Sequence, residues 1–160
     1  MADRRTGDVL RHSVLDRLSR SPGPSADLRI GVQELRVAVL RDLEALLNTR
    51  RPLLSDLSEL PEAESSLLTY GIPDVSQFSS SASGDVHTLA ALITNALRTF
   101  EPRLMPDTIR VRPVETKHEG SPRLHFKIEA ILHVEPVREP IVFDTEVDME
   151  RGDVDITVTD

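Results

Sequence analysis

The sequence LHFKIEAILHV, from Leu124 to Val134, places an apolar residue at every second position. Polar residues, among them His125, Lys127 and Glu129, occupy positions between them. Successive side chains of a β-strand point to opposite faces of the sheet, so this period predicts a strand with one apolar face and one polar face. Such a strand requires neighbouring strands and a layer that covers its apolar side.

The same period recurs in three further stretches, one before Leu124 and two after Val134. Their alternating residues are Ile109 and Val111; Ile141, Phe143, Thr145 and Val147; and Val154, Ile156 and Val158. The sequence Glu150-Arg151-Gly152-Asp153 between the last two stretches predicts a hairpin turn. We therefore expect four strands in a mainly antiparallel sheet.

Two helices are predicted before the strands, because apolar residues there recur every three or four positions. The first covers about residues 31–48 and the second about residues 85–100, with Ser83 or Asp85 as the cap of the second and Pro102 as its stop. Their apolar faces comprise Val32, Leu35, Val39, Leu43, Leu46 and Leu47 in the first, and Val86, Leu89, Ala90, Ile93, Leu97 and Phe100 in the second. Helices followed by strands with one apolar face predict an α+β fold, a four-stranded mainly antiparallel sheet with helices on one face.

The pattern divides the chain into an N-terminal arm, residues 1–26, and a single α+β domain, residues 27–160. Within the arm, residues 8–20 predict a short amphipathic helix, which a linker containing Pro and Gly follows. A long connection, residues 52–84, joins the two main helices and ends in a Ser-rich loop at 76–84. Connections of this length are usually functional or partly disordered.

Composition excludes several classes of function. The 160 residues contain no Cys, 3% aromatic residues and a formal net charge of −8. Disulfides, thiol nucleophiles and Cys-ligated metals are therefore excluded, and the scarcity of stacking rings with the acidic charge argues against nucleic acid. No stretch approaches the roughly eighteen apolar residues of a membrane span. We expect a cytoplasmic protein with no nucleic-acid partner and no direct membrane insertion.

Motifs for catalysis and metal binding are absent from the sequence. It contains no dinucleotide or phosphate-binding loop, no nucleophile elbow and no zinc-protease motif. His125 and His133 lie on the polar face of their predicted strand, so we expect them to face solvent rather than to bind a metal. The acidic run at 144–150 lacks the glycine of a calcium loop, and we expect a charged strand face opposite Arg110 and Arg112. No metal and no cofactor is predicted.

The most unusual local sequence is Glu101-Pro102-Arg103, directly after the second helix. Proline fixes the backbone between two opposite charges, and the planar guanidinium of Arg103 can bind carboxylate or carbonyl oxygens. Two interpretations remain open from the residues. Either the triplet binds a partner, or Glu101 and Arg103 form an intramolecular clamp that closes the helix. A third possibility, a hydrolytic carboxylate at Glu101, lacks both a predicted cleft and rings to hold a sugar.

The last predicted strand is a second candidate site. It comprises Asp153, Val154, Asp155, Ile156, Thr157, Val158 and Thr159. An exposed edge strand can pair with a strand of another protein, and Asp153 and Asp155 would discourage self-pairing. The alternative is an ordinary edge or internal strand.

Four segments together resemble the TssE family of type VI secretion baseplate subunits. In chain order they are SVLDRL at 13–18, VAVLRDLEALLNTRR at 37–51, YGIPD at 70–74 and FEPRL at 100–104. The last contains the Glu-Pro-Arg signature shared with baseplate wedge proteins of contractile phage tails. Val75, after the third segment, stands where an aromatic residue is more usual in the family. The resemblance extends over nearly the whole chain.

The resemblance implies a structural adaptor rather than an enzyme. Members of the family join the baseplate wedge to the contractile sheath and help to start sheath polymerisation, and their fold resembles the strand-exchanging handshake part of sheath subunits. Glu101, Pro102 and Arg103 would bind the wedge core of TssF and TssG, with TssK in the same baseplate. The strand at about 153–159 would face the sheath proteins TssB and TssC. The location implied is the cytoplasmic side of the inner membrane complex.

Some family members have carried a lysozyme label, which gives the alternative function. A peptidoglycan hydrolase would use Glu101 as its acid. The sequence offers no cleft chemistry that supports this activity.

Overall fold

Residues 31–52, 60–79, 82–114, 122–134 and 137–159 are described by a computed structural model of the chain. The helix predicted at 8–20 and the linker after it lie outside these residues. The helices are α1 (Val32–Asn48), α2 (Pro61–Glu64) and α3 (Ser83–Phe100), and the strands are β1 (Arg110–Val114), β2 (Arg123–Val134), β3 (Val137–Asp148) and β4 (Val154–Thr159). Short 3-10 turns lie at Leu67–Thr69, Val75–Gln77 and Pro106–Thr108.

The four strands form one antiparallel sheet in the order β1-β2-β3-β4. Ile128 lies opposite Val111 on one side and Phe143 on the other, and Phe143 lies opposite Val158. These apolar residues share a face because paired residues of neighbouring strands point the same way. The predicted α+β class is confirmed, and so is the alternation of buried and more exposed residues in β2 and β4.

One hydrophobic core lies between the helices and this face of the sheet. Its fully buried members include Val39, Leu43 and Leu47 of α1, Leu89, Ile93 and Leu97 of α3, and Phe126, Ile128, Leu132 and Phe143 of the sheet. The apolar stripes of both helices supply these residues, as their period predicts. Thr145 is also buried here, and its Oγ1 has no hydrogen-bond partner among the described residues.

The predicted cap of α3 is wrong. Neither Ser83 nor Asp85 caps the helix, which has Ala82 as its N-cap residue with no side-chain hydrogen bond. Asp85 lies in the first turn, where its Oδ2 accepts a hydrogen bond from the backbone N–H of Ser79, 2.8 Å away. Its carboxylate therefore fastens the preceding loop to the positive end of the helix.

The connection between α1 and α3 contributes to the core. Its described part contains α2 and two 3-10 turns, and Ile72 and Val75 are fully buried. The backbone of Ile72 bonds on both sides to the residues after α1, since Arg51 N donates to its C=O and its own N–H donates to Thr49 O. Gly71 has φ +105° at this crossing, and a Cβ on it would lie 2.2 Å from Thr49 O. Glycine is therefore required there.

The acidic face of β3 does not lie opposite Arg110 and Arg112, contrary to the prediction from the sequence. Arg110 and Arg112 lie on β1, and β2 lies between β1 and β3. The carboxylates of β3 instead meet β2, where Arg123 Nη1 lies 2.7 Å from Glu146 Oε1. The order of the strands determines this result, because only adjacent strands bring side chains into direct pairs. His125 and His133 lie on this polar face, as predicted, and His125 Nδ1 is 3.8 Å from Glu146 Oε2.

Candidate functional site

The Glu101-Pro102-Arg103 triplet begins where α3 ends. Glu101 is the C-cap residue, and its N–H donates to Leu97 O at 3.0 Å. Pro102 follows as the predicted stop, because it has no N–H to continue the helix. The chain then turns, and Leu104 N donates to Glu101 O at 3.2 Å. Proline and the end of the helix thus place Arg103 next to Glu101.

Glu101 and Arg103 form a bidentate ion pair. Arg103 Nε donates to Glu101 Oε1 at 2.7 Å, and Nη2 donates to Oε2 at 2.5 Å. The backbone N–H of Arg103 also donates to Oε1, at 3.0 Å. Glu101 is only 3% exposed. A buried carboxylate requires a partner of this kind, so the intramolecular clamp considered from the sequence is present.

Asp42 of α1 is a second carboxylate on the same guanidinium. Arg103 Nη2 donates to Asp42 Oδ2 at 2.7 Å. The other oxygen, Oδ1, accepts from Nε and Nη2 of Arg41, at 3.1 and 2.9 Å. Charges therefore alternate along Arg41, Asp42, Arg103 and Glu101, and they sum to zero. This network, the Arg103 cluster, links α1 to the turn after α3.

Two pKa shifts follow from this arrangement. Burial by itself would lower the pKa of Arg103, but hydrogen bonds and charge interactions with Glu101 and Asp42 outweigh it, and the pKa lies above its ordinary value. Burial, followed by the negative charges of Asp42 and Glu101, raises the pKa of the nearby Tyr70 hydroxyl. Arg103 therefore stays charged and Tyr70 stays neutral throughout the physiological range.

A shallow depression of about 320 Å³ adjoins the Arg103 cluster. Tyr70 and Phe100 contribute rings that meet edge to face, with centroids 5.2 Å apart. The complete lining is Asp42, Leu46, Tyr70, Phe100, Glu101, Pro102 and Arg103. An apolar floor with a guanidinium at its rim suits a protein side chain flanked by a hydrogen-bond acceptor.

The sheet holds the backbone of this turn. His133 N donates to Arg103 O at 2.8 Å, and Met105 N donates to Ile131 O at 2.9 Å. Leu104, between them, forms an isolated antiparallel bridge with Leu132. Because β1 is shorter than β2, the turn occupies the edge of β2 that β1 leaves open. The Arg103 cluster is therefore attached to the rigid part of the fold.

The geometry disfavours Glu101 as the acid of a hydrolase. Both of its carboxylate oxygens accept hydrogen bonds from the Arg103 side chain. A general acid must reach a substrate, and a carboxylate that is 3% exposed and bonded to Arg103 through both oxygens does not. Within the described residues no group of three or more His, Asp or Glu is arranged to hold a metal ion.

The second candidate site forms an edge of the sheet. Val154 to Thr159 make β4, whereas Asp153 lies in the turn before it and not in the strand. Among the described strands β4 has only β3 beside it. Val154 and Ile156 are buried on the core face, and Asp153, Asp155, Thr157 and Thr159 are exposed. The two predicted sites are thus separate features of the fold.

Sequence reasoning did not identify three residues that these sites contain. Asp42 and Tyr70 belong to the Arg103 cluster and its depression, and Asn48 hydrogen-bonds the backbone of Val154. Asp42 is 61 residues from Arg103 in sequence, so no local pattern connects them. Asp42 lies off the apolar stripe of an amphipathic helix, but Arg36, Arg41 and Glu44 do so too, so its position did not single it out.

The fold is that of a small α+β domain, and its polar cluster is an ion-pair network with no net charge. Residues 33–137 match the family model of the baseplate wedge protein gp25, and the chain belongs to this family. The role of the chain is accordingly that of a structural baseplate component, and the resemblance stated from the sequence is confirmed. The matched range contains Glu101 to Arg103 and ends before β4.

Similarity of fold extends to a solved baseplate assembly. A chain of the structure "The baseplate complex from the type VI secretion system" superposes with a TM-score of 0.50 at 19% identity, over 72% of this chain and 95% of that chain. At this identity the likeness concerns the fold. None of the curated proteins matches the sequence significantly. In the described part of the chain, no helix has both the length and the apolar character of a membrane span.

Proposed function

We propose that the chain is a structural adaptor of a type VI secretion baseplate, which links the wedge to the contractile sheath and helps to initiate sheath polymerisation. Membership of the gp25 wedge family supports the baseplate role. The similarity of fold to a chain of a type VI secretion baseplate complex supports the assignment to a type VI secretion system rather than to a phage tail. The adaptor lies in the cytoplasm, on the cytoplasmic side of the inner membrane complex.

The Arg103 cluster is the proposed wedge-binding site, with Glu101, Pro102 and Arg103 in contact with TssF and TssG in a baseplate that also contains TssK. The observation that carries this proposal concerns Arg103 Nη1. Nε and Nη2 are held by Glu101 and Asp42, whereas Nη1 has no hydrogen-bond partner among the described residues. Its two N–H groups are donors for carbonyl or carboxylate oxygens of a partner. The clamp and the interface are therefore compatible, since the clamp orients the guanidinium.

The stretch Asp153, Val154, Asp155, Ile156, Thr157, Val158 and Thr159 is the proposed sheath-facing site, with TssB and TssC as partners. An edge strand on a domain that is fixed to the wedge presents its backbone in a set orientation. Sheath subunits that add to it lose less freedom than subunits that assemble in solution. Initiation then follows from geometry and needs no chemical step.

Co-expression and pull-down with TssF and TssG test the wedge-binding site. The decisive variant is Glu101→Gln with Arg103→Gln, because it removes the guanidinium without leaving a buried charge unpaired. We expect it to fold and to lose wedge binding. Arg112→Gln, an equivalent change on the exposed face of β1, should bind as the wild type does. Full binding by the double variant would refute the assignment.

Deletion of residues 153–160 tests the sheath-facing site. Wedge binding in the same pull-down reports whether the truncated chain still folds, and we expect it to be retained while sheath assembly stops. Sheaths in normal number would exclude the strand from initiation. A turbidity assay on peptidoglycan tests the hydrolase alternative, for which we expect no lysis. Lysis that Glu101→Gln abolishes would overturn the adaptor proposal.

A further inference from the structure

The outer edge of β4 carries backbone groups that face away from β3. In an antiparallel pair, the N–H and C=O of one residue point to the partner strand, and those of the next residue point away from it. Asp153 directs its C=O towards β3, where Asp148 N donates to it at 2.9 Å. By alternation, the N–H and C=O of Val154, Ile156 and Val158 face outwards.

Asn48, the last residue of α1, occupies the first of these outward positions. Its Nδ2 donates to Val154 O at 2.7 Å, and its Oδ1 accepts from Val154 N at 2.9 Å. A side-chain amide presents a donor and an acceptor side by side, as the backbone of a neighbouring strand does. No such substitute exists at Ile156 or Val158 among the described residues. The open part of the edge therefore begins at Ile156.

The opposite edge of the sheet is less suited to pairing. His133 N and Ile131 O of β2 bond towards the β1 side, so the alternation along β2 directs Arg112 of β1 inwards and Pro113 outwards. Proline has no N–H and cannot donate to an added strand. This proline blunts the β1 edge, and β4 is the edge that can accept a partner.

Charge specifies what kind of strand β4 can accept. Asp153 and Asp155 are exposed, and neither carboxylate forms an ion pair within the described residues. Asp144 and Glu146 lie on the same face of the adjacent strand. On the other face, Ile156 is 7% exposed and Val158 is partly buried. Apolar residues opposite Ile156 and Val158, with basic residues between them, would complement both faces.

We propose that β4 accepts one added strand of alternating apolar and basic residues, in a register that Asn48 fixes by blocking Val154. The added strand pairs with the outward groups of Ile156 and Val158 and stops before Val154. This inference rests on the proposed sheath-facing role of β4 and names the chemistry of the segment that docks there.

Backbone amide hydrogen exchange, measured by NMR on the full chain, tests the register. The probe is a short capped peptide of alternating lysine and valine, and the control is the peptide of alternating glutamate and valine. At saturation with the basic peptide we expect exchange at Ile156 and Val158 to slow by about tenfold, the factor for a hydrogen bond of ordinary net strength. Exchange at Val154 should not change, because Asn48 already holds its N–H.

Asn48→Ala removes the block. In the free variant we expect exchange at Val154 to quicken by about tenfold, and with the basic peptide Val154 should become protected together with Ile156 and Val158. A nitroxide on one end of the peptide gives a second measurement in the wild type, independent of how the variant folds. If the peptide binds in a single register, the nitroxide broadens the amide signals at one end of β4 only.

Three outcomes would overturn the inference. They are no protection at Ile156 and Val158 with millimolar basic peptide, equal protection by the acidic peptide, and broadening at both ends of β4 by the one-ended label. Failure of the proposed function has a different signature. If deletion of residues 153–160 leaves sheath assembly normal while the peptide binds in the single register, the adaptor role fails and the register holds.

Discussion

Asp42 Oδ2 and Arg103 Nη2 lie 2.7 Å apart, although 61 residues separate them in the sequence. Asp42 projects from α1, and Arg103 follows the end of α3. Glu101 fixes one side of the guanidinium, and Asp42 fixes a second direction at Nη2. The bidentate pair with Glu101 orients the guanidinium, and the contact with Asp42 ties it to α1.

The stability of this cluster can be measured by a double-mutant cycle. Arg103→Gln leaves the buried Glu101 without its counter-charge, and we expect a loss of about 3 kcal/mol in the free energy of unfolding. Glu101→Gln together with Arg103→Gln should cost less than the sum of the two single changes, because neither charge is then orphaned. Urea unfolding of all four proteins gives the coupling. Strict additivity would contradict the buried pair.

Asp42→Asn tests the second carboxylate. The side chain is one-third exposed, so we expect a loss of only about 1 kcal/mol, after allowance for solvent screening. The pull-down with TssF and TssG should weaken further than this stability change explains, because Arg103 loses its charged contact with α1. Asp107→Asn, an exposed carboxylate in the turn before β1, is the control and should be neutral in both assays.

Gly71→Ala is expected to be the most damaging single methyl addition. It would force a Cβ to within 2.2 Å of Thr49 O at a φ of +105°, and we expect a loss of more than about 3 kcal/mol by thermal unfolding. Gly84→Ala is the matched control, since nothing lies within 4 Å of the added methyl in the first turn of α3. It should stabilise by about 0.5 kcal/mol. Equal changes in thermal stability for the two variants would contradict the close approach of Gly71 to the Thr49 carbonyl.

Thr145→Val should stabilise the protein. The Thr145 hydroxyl is buried without a hydrogen-bond partner among the described residues, and valine has nearly the same shape without the polar atom. We expect a gain of about 1 kcal/mol in the urea unfolding free energy. Thr157→Val on the exposed face of β4 should change stability little. A loss at Thr145 would indicate that the hydroxyl is bonded.

Asp148 gives an acid-dependent contribution to stability. Hydrogen bonds from the backbone of Arg151 and Glu150, with the charge of Arg123, hold its pKa below the ordinary value of 3.8. The unfolded state then binds protons more readily, so the contribution is present above the unfolded pKa and is lost as pH falls through the folded pKa. Asp148→Asn should lower the urea midpoint at pH 7, and the difference should vanish at pH 2. A difference that is constant with pH would contradict the shift.

Most of the fold could be predicted from the stretches of the sequence in which apolar residues recur with a regular period. Ile128 and Phe143 could be placed on the core face because strand side chains alternate, and Leu43 and Leu97 because a helix repeats every 3.6 residues. The connection between α1 and α3 has no such period, so the burial of Ile72 was not foreseen. Burial there depends on the crossing at Gly71, which a linear pattern does not show.

The candidate sites were predictable only in part, for the same reason. Glu101 and Arg103 are near neighbours in sequence, so their pairing could be considered beforehand. The contact of Arg103 with Asp42 depends on how α1 packs, and the pairing of Arg123 with Glu146 depends on strand order. The prediction that Asp85 caps α3 was wrong, because its carboxylate accepts a hydrogen bond from Ser79 in the preceding loop and not from the first turn of the helix. Each of these contacts can be predicted only from the distances between residues in the folded chain.

Helix α1 supplies both Asp42 and Asn48, six residues apart. At 1.5 Å per residue this spacing is about 9 Å along the axis, and the helical turn sets the angle between the two side chains. α1 therefore sets the distance and the angle between the Arg103 cluster, the proposed wedge-binding site, and the edge of β4, the proposed sheath-facing site. Inserting one residue between them would turn Asn48 by about 100° relative to Asp42. If both proposed sites bind as inferred, the angle between the two partners would then depend on the geometry of a single helix.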